Sequence, residues 1–404
     1  MLSPEDGDSS PVHIVYVLAD DIGYNDVGYQ SSDLGPNSLP LGGATPKLDE
    51  LATSGIILDR FYAMPQCTPS RTSLLSGVHA MHTGLYVTSI NPASPFALPL
   101  HFRLLPEYLK MVNSATCAHG IGKWDIGHYH WRYLPVHRGF DSWYGYYNTF
   151  TSYLSHIGNY GMCTNGVDCF TDFNDNGKSL VHEAGKYSTR LFTEQAEKII
   201  EAHDPDAPLF LYFAPTNCHC NVAVPLQLME EHSSTIGTVP EHARRIFASC
   251  MMSLDGAVQR LEGQLRTHDL WNRTLLVFTS DNGAPDGNAP QYGAGSNYPL
   301  RGGKFTPYEG GTRVPGFVHS PMLPAARRGT TFKGLFHLID WTRTFVEGVY
   351  GAAGTAVLAD DEAHQDSFNQ MGALLGTNAA PRRMIIHNID DCVANAADSP
   401  ISPG

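Results

Sequence analysis

Val12-His-Ile-Val-Tyr-Val-Leu18, running directly into Ala19-Asp20-Asp21, is the stretch whose reading decides the fold. A short apolar run rich in β-branched residues reads as a buried strand, and this one delivers two carboxylates at its end. Leu275-Leu-Val-Phe278 has the same character and leads to Asp281-Asn282-Gly283. In an open α/β sheet the carboxyl ends of neighbouring strands share one crevice, so the two acidic pairs are expected to meet there. Three carboxylates and an amide oxygen, with neither Cys nor His, suit a hard ion such as Ca²⁺ or Mg²⁺ rather than Zn²⁺. Either pair alone would read more simply as a helix cap or an Asx-turn. Both together, at the ends of strand-like runs, favour a shared cation.

Working outward, Cys67-Thr-Pro-Ser-Arg71 continues as Thr72-Ser-Leu-Leu-Ser-Gly77. Pro69 suits the first turn of a helix that Gly77 would end, and such a helix aims free backbone N–H groups at an anion near Cys67. Arg71 follows by about one helical turn and so faces the same site. Lys123 sits in Ile121-Gly-Lys-Trp-Asp-Ile-Gly127, Lys304 in the glycine-rich stretch from Pro299 to Gly311, and His219 follows the apolar run Leu209 to Ala214. Taken singly, these read as a structural cysteine, two solvated lysines and a loop histidine. Their contexts argue otherwise.

With those residues in view, the chain resembles the sulfatase family of the alkaline-phosphatase superfamily, and most of all its arylsulfatase B, or N-acetylgalactosamine-4-sulfatase, branch. The similarity runs from about Pro11 to His387-Asn-Ile-Asp390. It passes through Leu18 to Gly28, Thr45-Pro-Lys-Leu-Asp49, Cys67 to Arg71, Arg138-Gly-Phe-Asp141, Pro208 to Tyr212, Leu270-Trp-Asn-Arg-Thr274, Ser280 to Gly283 and the Lys304 loop. The resemblance implies an α/β fold with a large mixed, mostly parallel sheet flanked by helices. It implies a catalytic domain over residues 11–350, and a remnant of the C-terminal region over 351–404 in which a smaller antiparallel-sheet domain is largely missing.

The chemistry implied is that of an arylsulfatase-type sulfuric ester hydrolase acting on an aryl or carbohydrate sulfate ester. One Ca²⁺ would be held by Asp20, Asp21, Asp281, Asn282 and residue 67. Cys67 would be converted to formylglycine by a formylglycine-generating enzyme, and its side chain would face a solvent-filled pocket. Arg71 would stabilise the hydrated aldehyde, Lys123 and Lys304 would hold sulfate oxygens, and His219 would hold the ester or protonate its leaving oxygen. One hydroxyl of the hydrate would attack sulfur in line; deprotonation of the other would then expel sulfate. A bridge between Cys163 and Cys169 is implied by a cysteine pair in the same region of the relatives, and a lysosomal or secreted location by the family.

The chain departs from the family pattern at one telling place. Where arylsulfatases read Gly-Lys-Trp-His-Leu-Gly, residues 122–127 read Gly-Lys-Trp-Asp-Ile-Gly, so Asp125 replaces the histidine that serves as the base. His128 lies three residues on but does not match that position. Asp125 with an ordinary carboxylate pKa would be a weak base and would repel an anion. Two alternatives follow: a truncated or inactive sulfate-binding relative, and a phosphatase or phosphodiesterase of the same superfamily. The second would call for a Ser or Thr nucleophile and more ligands for two zinc ions.

Composition sets the outer limits. A chain of 404 residues with 42% hydrophobic and 10% aromatic content has enough apolar material for a large core. A net charge of −14 argues against nucleic acid as the main partner, and protonation of its 19 histidines in an acidic compartment would reverse that sign. No apolar stretch approaches the roughly 20 residues that cross a bilayer. Met1 to Pro11 lacks the basic and apolar regions of a signal peptide. Asn272-Arg-Thr274 is a sequon that would carry glycan on the secretory route. Cys218 and Cys220 flank His219, but no second ligand cluster at suitable spacing supports zinc there.

Local signals mark the helices. Thr45, Pro46 and Gly55 predict an N-cap, first turn and stop. Phe247, Met251, Leu254, Val258, Leu261 and Leu265 recur at three and four residues, which predicts one buried face of a long helix beginning after Pro240. Such a helix is the expected crossover into the Leu275 strand. Glycine and proline concentrate between Asn282 and Gly316, in a stretch expected to roof the site.

Overall fold

The structure is a computed structural model that describes residues 11–31, 41, 43–92, 94–158, 170–239, 241–285, 294–359, 361 and 366–388. The Cys163–Cys169 pair lies outside these residues. Ten strands form the principal sheet: β1 (His13–Ala19), β2 (Ile56–Leu58), β3 (Cys117–Lys123), β4 (Ser142–Tyr146), β5 (Asn174–Asp175), β6 (Lys178–Ser179), β7 (Leu209–Ala214), β8 (Thr274–Ser280), β9 (Gly316–His319) and β10 (Thr330–Phe332). Their order is β10-β2-β9-β8-β1-β7-β3-β4-β5-β6. The five central strands, β8 to β4 in that order, pair in parallel. Antiparallel pairs attach β9 on one side and the short β5 and β6 on the other. The sheet is thus mixed and mostly parallel, as expected.

The sheet is covered on both faces, which is why β1, β7 and β8 are buried along their whole length. Seven helices contribute: α1 (Pro46–Ser54), α2 (Cys67–Ser76), α3 (Leu105–Val112), α4 (Ser188–Ala202), α5 (His242–Thr267), α6 (Asp340–Tyr350) and α7 (Ala352–Ala359). Ile14, Tyr16 and Leu18 of β1 pack with Leu74 of α2, Tyr108 of α3 and Trp341 of α6. Val15 and Val17 point the other way, toward Leu48 of α1, Phe192 of α4 and the Phe247–Leu265 stripe of α5. That stripe is buried throughout, and α5 passes from β7 to β8 across β1.

One cap differs from its expectation. Thr45 Oγ1 does not cap α1; it accepts from Gly28 N at 2.9 Å and donates to Asp49 Oδ1 at 3.1 Å. The free N–H groups at the start of α1 are met by a carboxylate from α5 instead: Lys47 N and Leu48 N donate to Asp255 at 3.1 and 2.8 Å. A helix N-terminus attracts an anion from any direction, so packing can supply a cap that no local pattern announces.

The stretch after α6 stays on the same body. Leu358 of α7 joins the core, and the buried Arg382 returns to Asp340 at the start of α6 with Nε–Oδ2 at 2.7 Å. No helix among the described residues is long and apolar enough to cross a membrane.

Candidate active site

Registry between strands assembles the acidic pairs. Ala19 of β1 pairs with Ser280 of β8, so Asp20-Asp21 and Asp281-Asn282 leave the sheet side by side. Asp21 takes a positive φ of 60°, a left-handed conformation that Asp tolerates better than most residues. Its N–H donates to Asp281 Oδ1 at 3.3 Å. The four side chains are completely or almost completely buried.

Cys67 opens α2 as its first residue, and Gly77 ends the helix in a left-handed cap at φ 71°. The Cys67 Sγ lies 3.7 Å from Asp20 Oδ1. The expectation of a solvent-facing side chain is not met: Cys67 has no exposed surface. The reason is that every residue of α2 is buried. Burial pushes the thiol pKa up, with Asp281 adding to the effect.

The basic groups converge on the same point. Lys123 ends β3 and places Nζ 2.9 Å from Asp20 Oδ2. Arg71, one turn into α2, pairs with Asp281 Oδ2 through Nε at 3.0 Å and Nη2 at 2.8 Å, and its Nη1 donates to Lys123 O at 3.1 Å. Lys304 reaches Asp21 Oδ1 at 2.6 Å and stands 3.3 Å from His219 Nε2. Burial and Lys304 both oppose charge on His219, but Asp21, Cys220 and Asp20 outweigh them and hold its pKa well above the usual range. An imidazolium and an ammonium in contact form an edge that an anion would relieve.

His219 is held from behind. Its Nδ1 lies 2.6 Å from Cys220 O, and the Phe150 ring sits 5.4 Å away, tilted by 31°. Tyr153 OH donates to His219 O at 3.0 Å and to Thr216 O at 2.8 Å.

The donor set fits a hard cation. Asp21 Oδ2 and Asn282 Oδ1 are buried without a hydrogen-bond partner, and oxygen donors of this kind are what Ca²⁺ takes. Among the described residues, Asp20, Asp21, Cys67 and His219 bring possible ligand atoms within 4.8 Å of one another. Asp281 is not in that group: its Oδ2 is taken by Arg71 and its Oδ1 by Asp21 N.

Asp125 is where the structure corrects the reading of the sequence. Instead of an ordinary carboxylate, it is a buried group at φ 54°. Its Oδ1 accepts from Thr68 Oγ1 at 2.7 Å and Thr149 Oγ1 at 2.8 Å, while its Oδ2 has no hydrogen bond and lies 3.8 Å from Lys123 Nζ. Burial pushes the carboxyl pKa up against Lys123, Arg71 and the two hydroxyls. Thr68 and Thr149 escaped the sequence reading. Thr68 lies inside the quoted pentapeptide, and nothing around Thr149 sets it apart from any loop threonine. A hollow of about 990 Å³ between α4 and α5, lined by Arg190, Glu194, Met252 and Arg260 among others, touches none of these groups.

A thiol at a helix start, enclosed by carboxylates and cations at the carboxyl ends of parallel strands, defines an α/β protein with a buried cation-and-anion centre. The chain belongs to the sulfatase family, whose model, described as Sulfatase, matches residues 12–351. It is 34% identical over 398 residues to arylsulfatase J of Mus musculus, covering 98% of this chain and 61% of that one. It is 31% identical to N-acetylgalactosamine-6-sulfatase of Mus musculus, covering 78% and 58%. The chain thus spans about three fifths of the length of these two curated relatives. Among solved structures it is similar to Ps i-CgsB, with a TM-score of 0.76, 26% identity and coverage of 91% and 77%. The PsFucS1 sulfatase from Pseudoalteromonas sp. shares the fold, with a TM-score of 0.73, 23% identity and coverage of 93% and 74%.

Proposed function

We propose that this chain hydrolyses a sulfate ester, using a formylglycine made from Cys67 and a bound Ca²⁺. The observation that carries the reading is the position of Cys67, first in its helix and enclosed by Asp20, Lys123, Lys304 and His219. When bound, the cation supplies charge stabilisation at oxygen, and the hydrated aldehyde supplies the attacking hydroxyl. Asp20, Asp21 and Asn282, with Asp281, would hold the ion.

The chain's own groups supply the rest. Lys123 and Lys304, both buried, neutralise charge on the sulfuryl oxygens, and burial strengthens such interactions. His219, held charged, protonates the leaving alcohol oxygen. Arg71 orients Asp281 through two hydrogen bonds to its Oδ2. Asp125 removes the proton of the second hydroxyl, and its raised pKa makes it a stronger base than a solvated aspartate. A carbohydrate sulfate ester is the favoured substrate, since the relatives named above include a sulfatase of N-acetylgalactosamine and one solved complex of Ps i-CgsB contains a neocarrahexaose.

A second reading, a sulfate-binding protein without turnover, is favoured by Asp125 alone, because its charge lies 3.8 Å from a lysine meant for an anion. One experiment separates the two: mass analysis of the Cys67 peptide from protein made in its own host, together with release of phenol from an aryl sulfate. An aldehyde at residue 67 with catalytic release supports the hydrolase. Unmodified Cys67 without release would end that reading.

A further inference from the structure

Lys304 and Phe305 occupy the two central positions of one turn, which Thr306 N closes by donating to Gly303 O at 3.1 Å. The two side chains part company there. Lys304 is buried and reaches Asp21 Oδ1 at 2.6 Å, whereas Phe305 is 57% exposed. Both backbone N–H groups are pinned to segments that build the site. Lys304 N donates to Ala284 O at 2.9 Å, just beyond Asp281-Asn282, and Phe305 N donates to Pro65 O at 2.8 Å, just before Cys67. The Phe305 ring thus stands at the surface beside the buried ammonium, with its centroid 5.4 Å from Lys304 Nζ.

A single exposed phenylalanine is ordinary. This one is not, because its φ of 73° lies in the left-handed region, and the second central position of such a turn normally takes glycine or asparagine. A bulky residue there strains the backbone, and a ring more than half exposed offsets little of that strain by packing. Neither backbone preference nor the core accounts for Phe305, which leaves a contact with what the site receives.

Beside the turn, the Arg301 guanidinium lies 4.2 Å from the centroid of the Tyr308 ring, and its Nη2 donates to Tyr308 OH at 3.2 Å. Both residues are exposed. Tyr308 packs directly on the loop, so that a Cβ at Gly302 would come within 2.9 Å of its ring. An apolar ring face next to held N–H donors suits a pyranose, which carries C–H groups on its face and hydroxyls at its edge. A bare aryl group would use the ring but not the donors.

We propose that Phe305 stacks on the sugar ring that bears the scissile sulfate, with the Arg301–Tyr308 pair beside it for the sugar's hydroxyls. The substrate is then a sulfated carbohydrate and not a simple aryl sulfate. The inference rests on the sulfate-ester reading of the site, in which Lys304 holds a sulfate oxygen. An ester anchored on that ammonium brings its sugar carbon within reach of a ring 5.4 Å away.

The test is calorimetric titration of the full chain carrying Cys67→Ala, with Ca²⁺ present, so that binding is read without turnover. The probes are methyl sulfate, phenyl sulfate and a set of monosulfated N-acetylhexosamines. The best sugar should bind more tightly than either simple sulfate. Adding Phe305→Ala should weaken that sugar roughly 4–10-fold, the scale of uncovering half of an aromatic side chain, and Phe305→Trp should restore it. Phe305→Gly should weaken the sugar equally yet raise the thermal midpoint by about 1–2 °C, because it relieves the left-handed backbone. Sugars no tighter than methyl sulfate, phenyl sulfate tighter than every sugar, or a loss in Phe305→Ala as large for methyl sulfate as for the sugar would each overturn the proposal. A lowered midpoint in Phe305→Gly would do the same, by giving the ring a packing role instead. No ester is cleaved in this measurement, so a wild type that releases no sulfate would end the hydrolase reading while the titration still decides the stacking of Phe305.

Discussion

Asp125 Oδ1 accepts a hydrogen bond from Thr68 Oγ1 at 2.7 Å, so Asp125 is anchored to the residue directly after Cys67. A carboxylate that enters a catalytic pocket without partners would be expected to stray or to expel the anion. This one is fixed by two hydroxyls and buried, so on the proposed function its protonation, rather than its position, would decide turnover.

The acid limb of the turnover profile should therefore lie above the range of an ordinary aspartate. Asp125 acts as a base only when ionised, and burial raises the pH at which that happens. Thr149→Val removes a hydrogen bond that favours the ionised form, so it should move the limb to still higher pH. Asp125→Asn should cut turnover by roughly 10²–10⁴-fold. A limb that stays put in Thr149→Val, measured with a chromogenic aryl sulfate, would remove Asp125 from the rate-controlling step.

Cys67→Ala should abolish sulfate release while leaving circular dichroism and the thermal midpoint nearly unchanged, because the loss of one small buried atom costs on the order of 1 kcal/mol. Cys67→Ser should be nearly as inactive, since serine offers no second hydroxyl for expelling sulfate. Release at the wild-type rate from the Ala variant would defeat the assignment.

Calcium binding should disappear in the double variant Asp20→Asn, Asp281→Asn, because a hard cation is held chiefly by negative charge. Titration calorimetry gives the answer directly. In the wild type, chelation should lower the thermal midpoint, since a ligand of the folded state stabilises it by mass action. Unchanged affinity in the double variant would reduce these carboxylates to partners of Arg71 and Lys123.

Asp255 offers a check on the fold that is independent of catalysis. Burial pushes its pKa up to about 6 from 3.8, so the folded state holds its proton more tightly than the unfolded state does. The stabilisation is complete below the unfolded pKa and is lost as pH rises through the folded one. Denaturant unfolding of the wild type should accordingly show a contribution that weakens between about pH 4 and pH 6, and Asp255→Asn should flatten it. An identical pH slope in both proteins would mean that Asp255 is ionised throughout and is held by the N–H groups of Lys47 and Leu48.

The sequence by itself determined the strands that end in Asp20 and Asp281, the helix from Cys67 to Gly77 and the buried face of α5. Each is written in residues close together: an apolar run, a proline and glycine at fixed offsets, a period of three and four. The meeting of β1 and β8 was legible because two apolar runs of matching character each lead into an acidic pair, and the strand ends of an open α/β sheet share one crevice. Only the tertiary structure decided what met across long separations. Thr149 beside Asp125 and Asp255 on the start of α1 arise from packing of elements whose local patterns do not mention one another. Burial was the other hidden quantity. A carboxylate in a motif carries its ordinary pKa until the walls around it are known, and at Asp125 and Cys67 the walls changed the chemistry: desolvation disfavours charge, and it does so by an amount set by every neighbour rather than by the residue itself.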